Sequence, residues 1–104
     1  MYAPDKKTLI DHLKALAHPV RLRILEMLAE ADSEVSVNDL VKALRMSQPR
    51  VSWHLALLRR GGVVRQRREG RQVLCSLDSE TIRRCQRMLW EVVSPRKTIR
   101  PITD

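Results

Sequence analysis

Nine basic side chains, eight of them arginine, crowd residues 42–72: Lys42, Arg45, Arg50, Arg59, Arg60, Arg65, Arg67, Arg68 and Arg71, against the single acid Glu69. The whole 104-residue chain carries 20 Lys and Arg, 12 Asp and Glu and a formal charge of +8, so this one stretch accounts for the entire excess. Charge that served only solubility would be spread along the chain, whereas charge packed into one segment suits a polyanion. Guanidinium adds a planar fork that matches phosphate oxygens and the edge of guanine better than an ammonium does. Acidic lipid headgroups would be drawn to the same block. With no Phe, one Tyr and two Trp, the chain lacks the aromatic platform on which single-stranded nucleic acids stack, which turns the reading toward duplex DNA.

Other reactive groups are sparse. Cys75 and Cys85 are separated by nine residues, unlike the close pairs of zinc sites, and both fall on expected apolar faces, where a thiol acts as a small hydrophobe. Redox sensing by an exposed Cys85 beside Arg84 is a minor alternative, as is a zinc site built from His12, His18, Cys75 or Cys85 across a dimer. There is no phosphate-cradling glycine loop and no carboxylate pair in a recognisable cleft motif, so the chain reads as a non-enzyme with no cofactor. Two cysteines are too few for a disulfide scaffold and favour a reducing compartment. The opening MYAPDKK has no signal-peptide pattern, and no apolar run approaches the ~18 residues needed to cross a bilayer. A cytoplasmic protein without membrane contact is expected.

The elements that must position the basic block follow from apolar spacing. Leu9, Ile10, Leu13, Leu16 and Ala17 predict a first helix from about residue 5 to 17. Pro19 suits the first turn of a second, whose Leu22, Ile24, Leu25 and Leu28 run to about residue 30. AEADSE reads as a connector. Ser36 with Asp39 fits a capping-box pattern for a third helix ending near Met46, and Ser47 caps a fourth with Pro49 in its first turn. Two helices across so tight a break form a helix-turn-helix. Gly61 and Gly62 stop the fourth helix, and VVRQRR and RQVLCSL, joined at Glu69-Gly70, predict a β-hairpin with Val73, Cys75 and Leu77 on one face. Asp78 or Ser79 caps a last helix lined by Ile82, Cys85, Leu89 and Val92. The expected fold is therefore mainly α with a small β-hairpin wing: one winged helix-turn-helix domain over residues 1–93, then an extended or disordered tail over 94–104.

With Val51, Leu55 and Leu58 facing inward, the fourth helix turns Pro49, Ser52, Trp53, Ala56 and Arg60 outward, flanked by Gln48, Arg50 and Arg59. Small residues at 52 and 56 let it sink into a major groove. Gln48 suits adenine, Arg50 guanine or phosphate, and Ser52 a base or the backbone. Trp53 either meets thymine methyls and sugars or folds back over Leu57. His54, at the border of the buried face, reads as a hydrogen-bonded structural residue. Lys42, Arg45, Arg59 and Arg60 suit phosphates, with Ser47 beside them on the backbone side. In the wing, Arg67, Arg68 and Arg71 are the expected DNA contacts, with the tip residues Arg68 and Arg71 best placed for a minor groove. For Arg65 and Arg67 a charged edge strand is the competing reading.

LKALAHPVRLRILEML, SVNDLVKAL, SQPRVSWHLALLRRGGVV and RREGRQVLCSL together resemble the ArsR/SmtB family of bacterial transcriptional regulators, over residues from about 9 to 92. The resemblance implies a homodimer on operator DNA, normally repressing, with Gln48, Pro49, Ser52 and Trp53 at positions that approach DNA. Proline at 49 stands where the family often has a hydroxyl residue. The family's arsenic-type site needs paired cysteines in the third helix, where SEVSVNDLV has none. Its other well-known site takes Asp and His from the last helix, and SETIRRCQRMLW has no histidine.

The first and last helices carry apolar residues beyond one small core's needs, and Leu9, Leu13, Met88, Leu89 and Trp90 are the expected dimer interface. The functional expectation is a sequence-specific regulator, a repressor on an inverted repeat of double-stranded DNA, with an unidentified small-molecule or redox effector left open. The alternative is a non-specific architectural or protein-interaction winged-helix module.

Overall fold

A computed structural model describes residues 4–31 and 33–95. The order is α1 (Pro4–Leu16), α2 (Pro19–Ala31), β1 (Val35–Ser36), α3 (Val37–Leu44), α4 (Gln48–Arg60), β2 (Val64–Glu69), β3 (Gln72–Leu77) and α5 (Ser79–Val93). The tail expected over 94–104 lies outside the described residues from position 96 onward.

Side-chain caps place most of the helix starts. The Asp39 N–H donates to Ser36 Oγ at 3.1 Å, the Arg50 N–H to Ser47 Oγ at 3.4 Å and the Thr81 N–H to Asp78 Oδ1 at 3.0 Å. Each satisfies a backbone donor that the first turn leaves without an intrahelical partner. α2 has a cap that the sequence reading missed: His18 Nδ1 accepts from the Val20 N–H at 3.1 Å. Between α3 and α4 the chain turns through Arg45 in the left-handed region, φ 54°. Glycine is the usual residue for such a position, because an L side chain crowds the following carbonyl there.

Ile24 and Leu28 of α2, Val37 and Leu40 of α3, Val51, Leu55 and Leu58 of α4, and Val63, Val64 and Cys75 from the sheet side form one core. Val73 and Leu77 pack on it as partly buried neighbours, which is the hairpin face that alternation predicted. α1 lies against α5 and against the end of α4. Gly61 makes the latter contact possible, since a Cβ on it would stand 2.3 Å from Ala15 Cβ. There the His12 Nδ1–H donates to the Gly61 carbonyl at 2.6 Å.

A short strand follows directly on the segment read as a connector. β1 pairs antiparallel with β3, Val35 opposite Cys75 and Ser36 opposite Leu74, giving a sheet in the order β1-β3-β2. Two residues are too few to show period-two alternation, so Val35 and Ser36 gave no strand signal. The pairing covers the edge of β3 that the hairpin leaves open. α3 also stops at Leu44, two residues before the expected end, because Arg45 has already left helical geometry. The architecture is a winged helix-turn-helix: α3, turn and α4, followed by the β2–β3 wing.

Candidate nucleic-acid interface

α4 sits with Val51, His54, Leu55 and Leu58 buried and Gln48, Pro49, Arg50, Ser52, Trp53, Arg59 and Arg60 exposed. Its mixed outer face follows from the 3.6-residue period acting on a short apolar stripe. Ser47 spends its hydroxyl as the N-cap, leaving its exposed edge beside Gln48. Trp53 is 58% exposed and meets the ring of His54 edge-on, with centroids 4.9 Å apart. A large apolar ring so exposed on a polar helix face is unusual.

The ion pairs divide the basic block in two. Arg67 makes a bidentate pair with Glu34, Nε to Oε2 and Nη2 to Oε1, each at 2.6 Å, and a third contact to Glu69 Oε2 at 3.2 Å. The hydrogen bond from Arg67 holds the Glu34 carboxyl below its ordinary value, and the carboxylate raises the Arg67 guanidinium in turn. Arg65 donates from Nε to Asp78 Oδ2 at 3.2 Å. Asp78 is held down chiefly by the Thr81 backbone N–H and then by Arg65. Period two puts residues 65 and 67 on one side of β2, so both arginines face the carboxylates that fasten the wing to its surroundings. Arg67, one of the expected DNA contacts, thus has its fork on Glu34, a pairing that ties the wing to the segment before β1.

Lys42, Arg45, Arg50, Arg59, Arg60, Arg68 and Arg71 make no ion pair among the described residues and are exposed. They lie on the end of α3, the turn, α4 and the wing tip. Gly70, φ 61°, makes the two-residue hairpin loop that carries Arg71, with Arg68 opposite Val73 just below it. The structure therefore brings the unpaired charge onto three consecutive elements around the exposed face of α4.

The thiols and histidines are arranged for packing. Cys75 is wholly buried, and burial pushes its thiol up to about 11. Cys85 is buried too, and its thiol is raised for the same reason. Both therefore stay protonated near neutral pH, which is the opposite of the lowered value a reactive thiol needs. The His18 ring packs against His54 at a tilt of 49°, with centroids 4.6 Å apart, while capping α2, and His12 is engaged with Gly61. Among the described residues no group of three or more His, Cys, Asp and Glu is placed to hold a metal ion. His54 is 3% exposed, with no partner for Nδ1. Its pKa is lowered first by burial and then by His18, Arg21 and Arg50. This basic cluster behind α4 was missed at the level of sequence, since its members come from two helices far apart in the chain.

The sequence profile of the family described as bacterial regulatory protein, arsR family, matches residues 18–66. An HTH-type transcriptional regulator of Mycobacterium tuberculosis strain H37Rv is 35% identical over 101 residues, covering 92% of this chain and 87% of that protein. This chain belongs to the arsR family. The HTH-type transcriptional repressor SmtB of the same strain is 44% identical over 79 residues, 72% of this chain but 57% of SmtB, so the match spans little more than half of that relative's length. Among solved structures, HlyU from Vibrio cholerae N16961 superimposes with a TM-score of 0.70 at 35% identity, covering 90% of this chain and all of that one. HlyU therefore shares the fold described above. No helix among the described residues is long and apolar enough to cross a membrane.

Leu13, Leu89 and Trp90 are 38%, 42% and 65% exposed, and Met88 is half-buried, so these four remain available to a partner. Leu9 is corrected: at 5% exposed it is already covered within the subunit. It lies on the flank of α1 that also buries His12, and the apolar spacing alone did not separate the two flanks.

Proposed function

We propose that the protein is a sequence-specific transcriptional regulator that binds double-stranded DNA as a homodimer and represses by occupying an inverted-repeat operator. The observation that carries this reading is the set of seven unpaired basic side chains around the exposed face of α4. Gln48 and Ser52 read bases in the major groove, Arg50 takes guanine or phosphate, and Trp53 packs on thymine methyls or sugars. Lys42, Arg45, Arg59 and Arg60 hold phosphates, while Arg68 and Arg71 approach the minor groove. Leu13, Leu89 and Trp90, with Val92 and Val93 at 41% and 58% exposure, form the apolar face through which a second copy docks. The dimer presents its two α4 helices about 34 Å apart, or a multiple of that distance. Its site of action is the cytoplasm or nucleoid, and no catalytic step is involved.

The test is duplex binding across a salt series with the promoter of the protein's own operon and random-sequence competitors. Six to ten phosphate contacts weaken binding by roughly 10³–10⁵ between 50 and 200 mM salt. Gln48→Ala is expected to change the preferred sequence, whereas Arg71→Ala weakens binding to all sequences alike. A flat salt response, or random DNA competing as well as the promoter, overturns the reading. The relative HlyU is named a transcriptional activator, and a reporter driven by the bound promoter separates the signs: expression must rise when the gene is deleted.

A further inference from the structure

Arg21 is out of place as an ordinary surface arginine. It is 8% exposed, its Nε is buried without a hydrogen-bond partner, and no carboxylate among the described residues forms an ion pair with it. A buried cation is normally paired, because desolvation is otherwise uncompensated. Arg21 lines a pocket of about 320 Å³ at the junction of α1, α2 and the last turn of α4. Lys14 and Arg60 stand at the same pocket, and its walls include Ala15, Leu57 and Gly61. Its one acid, Asp11, pairs with Lys7 at 3.7 Å. Three cations against one engaged carboxylate leave the cavity electropositive, and its volume falls at the lower end of the range for small-molecule sites.

We propose that this pocket binds a small anionic metabolite bearing a carboxylate or phosphate group, anchored by the guanidinium fork of Arg21 and held at the rim by Lys14 and Arg60. The fork matches two oxygens of one such group, and the apolar walls accept a short carbon skeleton. A DNA phosphate is the less suited occupant. Arg60 lies twelve residues, or about 18 Å of helix axis, from Gln48 at the reading end of α4. Leu13, on the apolar face assigned to the second copy, lies about 160° round α1 from Asp11 and about 100° from Lys14. The site thus joins α1 to the C-terminal end of α4, away from the base-reading residues, and shares with the proposed DNA surface only Arg60. A bound anion tightens that junction and shifts DNA affinity; this regulatory part rests on the DNA-reading role above, whereas anion binding itself does not.

The test is a titration of ¹⁵N-labelled protein with inorganic phosphate and, separately, malonate at constant ionic strength, following the Arg21 Nε–H and Gly61 amide signals. At least one anion is expected to shift both signals saturably with a Kd of about 1 mM or tighter, and the two arms separate phosphate from carboxylate ligands. Lys14→Gln, at an exposed position, should weaken that Kd about threefold or more without changing the fold. Arg21→Lys keeps the charge, removes the fork and should weaken it about tenfold. Shifts that do not saturate, that sodium chloride reproduces, that appear equally at Arg68 and Arg71, or that survive Lys14→Gln unchanged overturn the site. Operator affinity that is the same with and without saturating anion overturns the regulatory part.

Discussion

Gly61→Ala is expected to destabilise the fold by wedging α1 away from α4. Gly61 has φ −77° and ψ −4°, a conformation any residue adopts, so backbone strain makes no contribution. Space does: the new Cβ would lie 2.3 Å from Ala15 Cβ, more than 1 Å inside ordinary contact. Both atoms are fixed to backbone, so neither yields by changing rotamer, and a helix must move. That movement also stretches the His12–Gly61 hydrogen bond, now 2.6 Å. Overpacking of this kind costs about 1–3 kcal/mol, and at about 4–8 °C per kcal/mol for a domain of this size the melting temperature falls by several degrees or more. The assay is thermal and urea unfolding at fixed protein concentration for Gly61→Ala, Ala15→Gly and the double variant. Ala15→Gly alone costs about 1 kcal/mol in helix propensity, but in the double variant it removes the clash, so a coupling of about 1 kcal/mol or more is expected. Additive effects, or a Gly61→Ala protein as stable as its parent, would refute the close approach of α1 to α4.

The ion pairs make Arg67 and Arg68 separable: Arg67→Ala is expected to lower stability and leave the salt slope of DNA binding nearly unchanged, whereas Arg68→Ala lowers that slope by about one with stability intact. Arg45→Gly removes the strain of a left-handed arginine and should leave stability the same or up to about 1 kcal/mol higher, while DNA affinity falls through loss of a phosphate contact; a urea series paired with a binding isotherm reads both. The lowered pKa of His54 sets a pH dependence. The unfolded chain takes up this proton first as pH falls below about 6.5, so stability is full above that value and is lost on acidification, and His54→Gln should flatten the profile of urea midpoint against pH between 7.5 and 5.

Helix order, three side-chain caps, the hairpin and the buried face of α4 were readable because each leaves a local mark: apolar spacing, a serine or aspartate at a helix start, a glycine at a turn. What was not readable is non-local. The strand β1 exists only because β3 offers Val35 and Ser36 an edge, and the pairing of Arg67 with Glu34 spans 33 positions. A charge count treats all nine basic residues of the block alike. Only their partners show that Arg65 and Arg67 hold the wing while the other seven are left for solvent or a polyanion. Leu9 and Leu13 were likewise indistinguishable as apolar residues of α1, yet one faces the subunit's own interior and the other faces out.

The basic residues behind α4 bear on why its outer face is so positive. His54 and Arg21 are buried with an unpartnered ring nitrogen and guanidinium Nε, and the His18 ring meets His54 at a tilt of 49°. A carboxylate placed there would relieve the desolvation of Arg21 at once, and the fold pays in stability for lacking one. It would also place a negative charge behind α4, where the low dielectric of the interior transmits its field with little screening. An unpaired cation in the same position does the reverse and adds to the potential that draws phosphates toward the reading face. The expected consequence is that introducing an acid beside Arg21, as in Leu57→Glu, lowers the association rate with duplex DNA at low salt while leaving the preferred sequence unchanged, because steering depends on the summed field and base choice on Gln48 and its neighbours. A change in sequence preference without a change in association rate would show that this cluster acts on the geometry of α4 and not on its field.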